Sequence, residues 1–137
     1  IRIDYATDWQ RIHEHAIKSA YGKSPYFEFY SDVILSMFEW QPELLIEWNE
    51  ASMNAIIEAL SLPLVYENSK KYCEIDLSPS DWRNVIVPEN MNSPQLPSTS
   101  NYIQVFSDRH PFQPGLSILD MLFCCGPESI RLLKPDK

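Results

Sequence analysis

Glycine is scarce in this chain: only Gly22, Gly115 and Gly126 occur in 137 residues. Neither a phosphate-cradling P-loop nor a dinucleotide fingerprint can be built from three isolated glycines, because both need several in one short turn. Cysteine is equally sparse. Cys73, Cys124 and Cys125 are odd in number, and adjacent Cys124 and Cys125 are badly placed to bond each other. A disulfide framework is therefore not expected, and a reducing, cytoplasmic setting fits. Basic residues are in deficit, 11 against 19 acidic, for a net charge of -8. That excludes the clustered Lys and Arg of a nucleic-acid surface. No apolar run reaches the ~18 residues of a membrane span. Cys-x-x-Cys and His-Glu-x-x-His patterns are also missing, so no metal motif is expected.

What is present is a helical pattern with proline punctuation. Thr7-Asp8-Trp9-Gln10 reads as a capping box opening a first helix, with Trp9, Ile12, His13, Ala16 and Ala20 on one face and Gly22 as a left-handed stop. Ser24-Pro25 reads as the start of a second helix with the stripe Phe27, Tyr30, Ile34, Met37 and Phe38. Pro42 opens a third and longest helix, to about Ser61, with Ile46, Asn49, Met53, Ile57 and Leu60 on one face and Leu45, Trp48 and Ile56 widening it. Ser117-Ile118-Leu119-Asp120 resembles a capping box before a fourth, apolar helix ending at Gly126, and Pro127 begins a short fifth. Short strands are expected at Leu64–Tyr66 and Tyr102–Phe106, and at Val85–Val87 as an edge strand. Between Leu77 and Asn101, Pro79, Pro88, Pro94 and Pro97 form a long Pro-rich loop, of a kind that is often functional. The expected fold is mainly α: about five helices in a compact, bundle-like domain with two or three short strands, residues 1–137 forming a single domain. Ile1–Tyr5 alternates like a strand already under way, so the chain is expected to be a fragment of a longer protein.

An ordered series of segments resembles a known family. Tyr102-Ile103-Gln104-Val105-Phe106, then Phe112, Pro114, Leu116–Asp120, Leu122-Phe123 and Gly126-Pro127-Glu128 look like the C-terminal block of WbqC-like proteins. Ile3-Asp4-Tyr5, Trp9, His13, Ile17–Gly22, Ser24–Glu28 and Asp81–Asn84 match as well. Cys124-Cys125 depart from the family's Asn-Glu-type pair, and Pro111 and Gly115 stand where Gly and Asn are usual. The family's N-terminal block, rich in Pro and aromatics, has no counterpart here. The resemblance implies a bacterial protein encoded among surface-polysaccharide genes, including those for O-antigen. It also implies an activity on a sugar, such as transfer of an acyl or aminoacyl group to an amino sugar.

Candidate site residues each carry two readings. His13 suits general acid–base work, since imidazole titrates near neutrality, and it matches a family position. The same residue on an apolar stripe reads equally as a hydrogen-bonded core histidine. His13 and His15 point about 200° apart on a helix and cannot share a metal ion. Asn49 on its apolar face is a buried amide that pins a loop, or a substrate contact. Arg83 offers a bidentate fork for carboxylate or phosphate, or pairs with Asp81. Trp82 and Tyr21 belong to an aromatic set capable of stacking on a sugar, though such stripes usually form core. His110 reads as a proton shuttle or a plain exposed residue. Asp120 is a candidate base, or the capping partner of Ser117. Cys124 has no basic neighbour to lower its pKa and is not expected to be a nucleophile.

Two functions follow. One is a sugar-modifying transferase with catalytic His13 and Asp120, and with Arg83, Trp82, Asn49 and Tyr21 binding a nucleotide-linked or lipid-linked sugar. The other is a non-catalytic interaction module, including a homodimer. Nothing in the sequence names a cofactor.

Overall fold

A computed structural model describes residues 1–72, 74, 81–83 and 101–133. The expected edge strand Val85–Val87, most of the Pro-rich loop and Cys73 lie outside these residues. The fold is mainly helical and, among the described residues, contains no sheet. Four helices organise it: α1 (Trp9–Tyr21), α2 (Phe27–Ser36), α3 (Leu45–Ala59) and α4 (Ile118–Cys125). The expected fifth helix amounts to a 3-10 turn at Gly126–Glu128 and one helical turn at Ser129–Leu132. Gly126, at φ 54°, breaks α4. A side chain there would place its Cβ 2.5 Å from the Tyr26 ring, so only glycine fits. Ser129 is buried and its hydroxyl donates to Met121 O at 3.1 Å, which folds the last turn back onto α4.

α2 is the central element and packs against both α3 and α4. Ile34, Leu60, Leu122 and Phe123 form the buried core, with Phe27, Tyr30 and Met37 of the expected α2 stripe closing over it. Each fully buried side chain of this size contributes about 1.5–3 kcal/mol relative to exposure. Phe123 is the pivot, its ring 5.3 Å from Tyr21 of α1 and 5.2 Å from Phe27 of α2.

Several local expectations fail for identifiable reasons. α1 is capped at Asp8 without a side-chain bond, and Gln10 does not reach back to Thr7. Gln10 is buried, its Nε2 donating to Trp40 O at 2.8 Å and its Oε1 accepting from Gln41 Nε2 at 3.0 Å. A buried amide must be satisfied, and two bonds across the fold do this where an exposed cap would leave it wet. Ile12 and His13 are exposed rather than part of a core stripe. Gly22 is right-handed (φ -59°), not left-handed. Its lack of a side chain is a matter of space, since a Cβ would lie 2.6 Å from Lys18 O. Ser24 does not cap α2; its hydroxyl donates to Tyr21 O at 2.6 Å within a turn, and the helix starts at Phe27.

α3 is shorter than Pro42–Ser61, and its buried face is shifted toward the widening residues. Leu60 of the expected line is buried, but Ile46 and Met53 are about half exposed, and the inward line is Trp48, Ser52, Ile56 and Ala59. One residue of register is about 100° of rotation. Trp48 buries far more apolar area than Asn49, so the helix turns Trp48 inward against Phe38, at 5.6 Å between rings.

The expected strands do not form among the described residues. Residues 1–5 make a single antiparallel bridge, Arg2 to Leu44, with Ile3 N donating to Glu43 O (3.0 Å) and Leu45 N to Ile1 O (2.9 Å). It cannot extend, because α3 begins at Leu45. Leu64–Tyr66 is exposed coil. Tyr102–Gln104 is coil running into a turn at Val105–Arg109. There a side chain takes the place of a partner strand: Gln104 Nε2 donates to Gln113 O and Gln113 N donates to Gln104 Oε1, both at 2.8 Å. The amide of one side chain thus pairs with the backbone as a neighbouring peptide would.

Candidate functional site

The first turn of α4 divides two clefts. Ser117 caps this helix, its Oγ accepting from Leu119 N at 3.3 Å. Asp120 does not join the cap. It is 1% exposed and turns inward, where Tyr102 donates its hydroxyl to Asp120 Oδ2 at 2.7 Å. Tyr21, at the end of α1, lies near the same carboxylate, whose charge raises its phenol. Thus α1, α4 and the 102–113 loop meet at one acid. Among the described residues, the side chain that donates to it is the Tyr102 phenol.

Burial pushes the Tyr21 and Tyr102 phenols well above their ordinary pKa, and the adjacent Asp120 adds to both shifts. They remain protonated donors across the physiological range. The Cys124 thiol is pushed up to about 12 by burial first, then by the charges of Asp120 and Cys125. Cys125 moves in the same direction for the first two of these reasons. A thiol that holds its proton is a poor nucleophile, as the sequence implied.

Asp120 and Gln104 line a cavity of about 290 Å³ together with His110, Val105, Phe106 and Leu116. His110 is exposed at the wall, and its backbone N donates to Phe106 O at 3.0 Å. The pairing of Gln104 with Gln113 holds this wall closed on itself. Chemically, the cavity offers a carboxylate fixed by the Tyr102 phenol, with an imidazole at the edge. That set accepts hydrogen bonds or a proton from an amine or hydroxyl.

The second cleft is aromatic. Ile3, Trp9, His13, Phe38, Trp48 and Asn49 are among the residues lining an open groove of about 480 Å³. Trp9 meets Trp48 edge-on at 5.3 Å and His13 at 5.6 Å, and Tyr5 stacks on Trp9 at 6.0 Å. His13 also meets Phe38 at 6.2 Å. Asn49 is exposed on this groove, so it is not the buried, loop-pinning amide that its spacing implied.

The residues named from the sequence therefore fall into three groups. Tyr21 and Asp120 share the buried cluster, and His13 and Asn49 share the aromatic groove. Trp82 is exposed, and Arg83 beside it is tied to its own neighbours. Arg83 donates from Nε to both carboxylate oxygens of Asp81 (2.9 and 3.1 Å), from Nη2 to Asp81 Oδ2, and from Nη2 to Glu74 O (3.1 Å). Its guanidinium lies over the Tyr72 ring at 5.7 Å. Among the described residues these contacts lead to neither His13 nor Asp120. Tyr102 and Gln104 were missed as site residues because their alternation resembled a strand. The available signal was a polar pair inside an apolar segment, close in sequence to Asp120.

Among the described residues, no group of His, Cys, Asp and Glu is arranged to hold a metal ion, and no helix is long and apolar enough to cross a membrane. No curated protein and no solved structure matches the chain. A family model does match, over residues 1–96 and 89–132, which is nearly the whole length. With the quoted segments lying inside those matches, the chain belongs to the WbqC-like protein family.

Proposed function

We propose that this WbqC-like chain modifies a sugar in bacterial surface-polysaccharide biosynthesis, transferring an acyl or aminoacyl group to an amino sugar. The observation that carries the reading is Asp120: a nearly fully buried carboxylate, held by the Tyr102 phenol, on the lining of a ligand-sized cavity. Burying an acid away from any cation is costly, and such groups concentrate at functional sites. In this reading the sugar amine attacks the carbonyl carbon of the acyl donor. The C–N bond forms, the bond to the donor's leaving group breaks, and the amine's proton passes to Asp120. His110, at the cavity wall, returns a proton to the leaving group. His13 and Asn49 act separately, with Trp9 and Trp48, as a platform on which an apolar sugar face or acyl chain rests. Trp82 and Arg83 have a structural role around Asp81.

The test is thermal stabilisation of the protein by amino sugars against their neutral counterparts. A ligand at a hundred times its dissociation constant stabilises by about 2.7 kcal/mol. Amino-sugar stabilisation that disappears in Asp120→Asn is the expected result. Equal response to neutral sugars, or survival of the response in Asp120→Asn, removes Asp120 from the site.

A second reading, an interaction module or homodimer, is favoured by one observation. Leu44, Leu45, Ile46 and Met53 are exposed beside the aromatic groove, and exposed apolar surface of this kind marks contact sites. A concentration-dependent melting temperature distinguishes it.

A further inference from the structure

The strongest unassigned feature is basic, on a chain that is otherwise acidic. Eleven basic side chains oppose 19 acidic ones. Three of the eleven, Lys18, Lys23 and Arg109, line one cavity of about 570 Å³. Lys18 and Lys23 come from the end of α1 and the turn after it, and Arg109 from the 102–113 loop. On the α1 side the wall between them is made of the small residues Ser19, Ala20 and Gly22, and on the loop side of Val105 and Phe106.

We propose that this cavity binds the diphosphate of a diphosphate-linked sugar. The proposal rests on the reading of the Asp120 cavity as the sugar end, because the two clefts share Val105 and Phe106. A diphosphate at Lys18, Lys23 and Arg109 would leave its sugar directed past Val105 toward Asp120. The long-range field of a chain with net charge -8 repels anions, so an anionic substrate needs a local cluster of this kind.

The existing partners of these cations do not compete strongly. Lys23 forms no ion pair with any described residue. Lys18 pairs with Glu14 four residues earlier on α1, and Arg109 with its neighbour Asp108 through Nε at 3.2 Å. Arg109 is about three-quarters exposed and Lys18 about half. Exposed pairs like these contribute little and rearrange readily, while a guanidinium offers further N–H groups to a phosphate. Asp108 lines the same cavity and is the one opposing charge in it. The carbonyls at the end of α1, which would repel an anion, are partly occupied: Lys18 O accepts from Gly22 N at 2.9 Å, and Tyr21 O accepts from Ser24 N at 2.8 Å and Ser24 Oγ at 2.6 Å.

Binding of inorganic pyrophosphate, measured by calorimetry at low and at moderate salt, tests the site. The wild-type protein is expected to bind it more weakly as salt rises. Lys23→Gln with Arg109→Gln is expected to lose about tenfold in affinity for each charge removed. Arg131→Gln, at an exposed arginine paired with Glu128, serves as a control and is expected to bind normally. No pyrophosphate binding by the wild type, or equal binding by the double variant, overturns the proposal. A nucleoside diphosphate and a short prenyl diphosphate distinguish the two sources of the group. Tighter binding of either than of pyrophosphate, lost in the double variant, supports the site and identifies what lies beyond the diphosphate. The two readings fail separately: Asp120→Asn removes the amino-sugar response but spares pyrophosphate, whereas the double variant does the reverse.

Discussion

On one side of the first turn of α4, Asp120 accepts a hydrogen bond from Tyr102 beside the Tyr21 phenol. On the other side, Ile118 and Leu119 look into a groove walled by Trp9, Phe38 and Trp48. The polar side is closed by directional bonds, and the aromatic side is assembled from packed rings that no described residue covers. A polar group loses its solvent on burial and must find a fixed partner, so the Asp120 side is specified residue by residue. Apolar surface has no such demand, and the groove keeps its shape through packing alone. The two sides should therefore respond very differently to single substitutions.

The largest effect is expected from Asp120→Ala. It strips the acceptor from the Tyr102 phenol, at a site 1% exposed. Leaving a buried donor unsatisfied costs about 1–3 kcal/mol, so a loss of about 2 kcal/mol and a fall in melting temperature of about 7 °C are expected. Trp9→Ala, on the partly buried wall of the groove, should cost less. Thermal denaturation of both variants checks the contrast, and a larger loss for Trp9→Ala reverses it.

Alkaline titration sharpens the same contrast. Tyr21 and Tyr102 have folded pKa values raised above the ordinary value of about 10. Below that pH the phenols are protonated in both states, and the stabilising contribution is fully present. As pH rises past about 10, the unfolded chain loses phenolic protons that the folded chain retains, so stability falls. Urea midpoints between pH 8 and 11 should decline more gently in Tyr102→Phe than in the wild type. Tyr5, on the groove side, is raised as well, by desolvation and by Glu47, but it is only partly buried, and its hydroxyl donates to Pro42 O at 2.7 Å. Tyr5→Phe should leave the slope nearly as it was. Identical slopes for all three proteins would mean that the cluster does not hold its phenolic protons.

The same division explains what could be read from the sequence. The α2 stripe and the Ser117 start of α4 were legible, because apolar spacing and a side-chain cap are local signals. Asp120 and Tyr21 were legible as residue types with chemistry, but not as neighbours, since they come together through the packing of α1 against α4. Tyr102 and Gln104 were hidden by a strand-like alternation. What decides their structure is the bond between the Gln104 side chain and the Gln113 backbone, and no periodicity encodes such a contact. The centre of the buried face of α3 was blurred for a related reason. Asn49 and Trp48 both fell on the expected face, and the position of Phe38, in the turn after α2, favours Trp48. His13 was legible as a candidate base or a core residue, but the aromatic groove that surrounds it depends on α3 and on the segment before α1.

The smallest effect is expected on the exposed rim of the groove. Ile46 and Met53 are 52% and 49% exposed, and replacing both with Ser removes apolar surface that is already half in water. Surface changes away from special contacts usually stay within about 0.5 kcal/mol each, so the melting temperature of the double variant should match the wild type within a few degrees. Repeating the measurement across a fiftyfold range of protein concentration separates two origins of any larger change. If the face is uncovered, both proteins melt independently of concentration. If copies of the chain pair through it, the wild type gains stability with concentration by mass action and the double variant does not. That second outcome would move the aromatic groove from a ligand platform to an interface, and it would leave the Asp120 cluster, on the other side of α4, untouched.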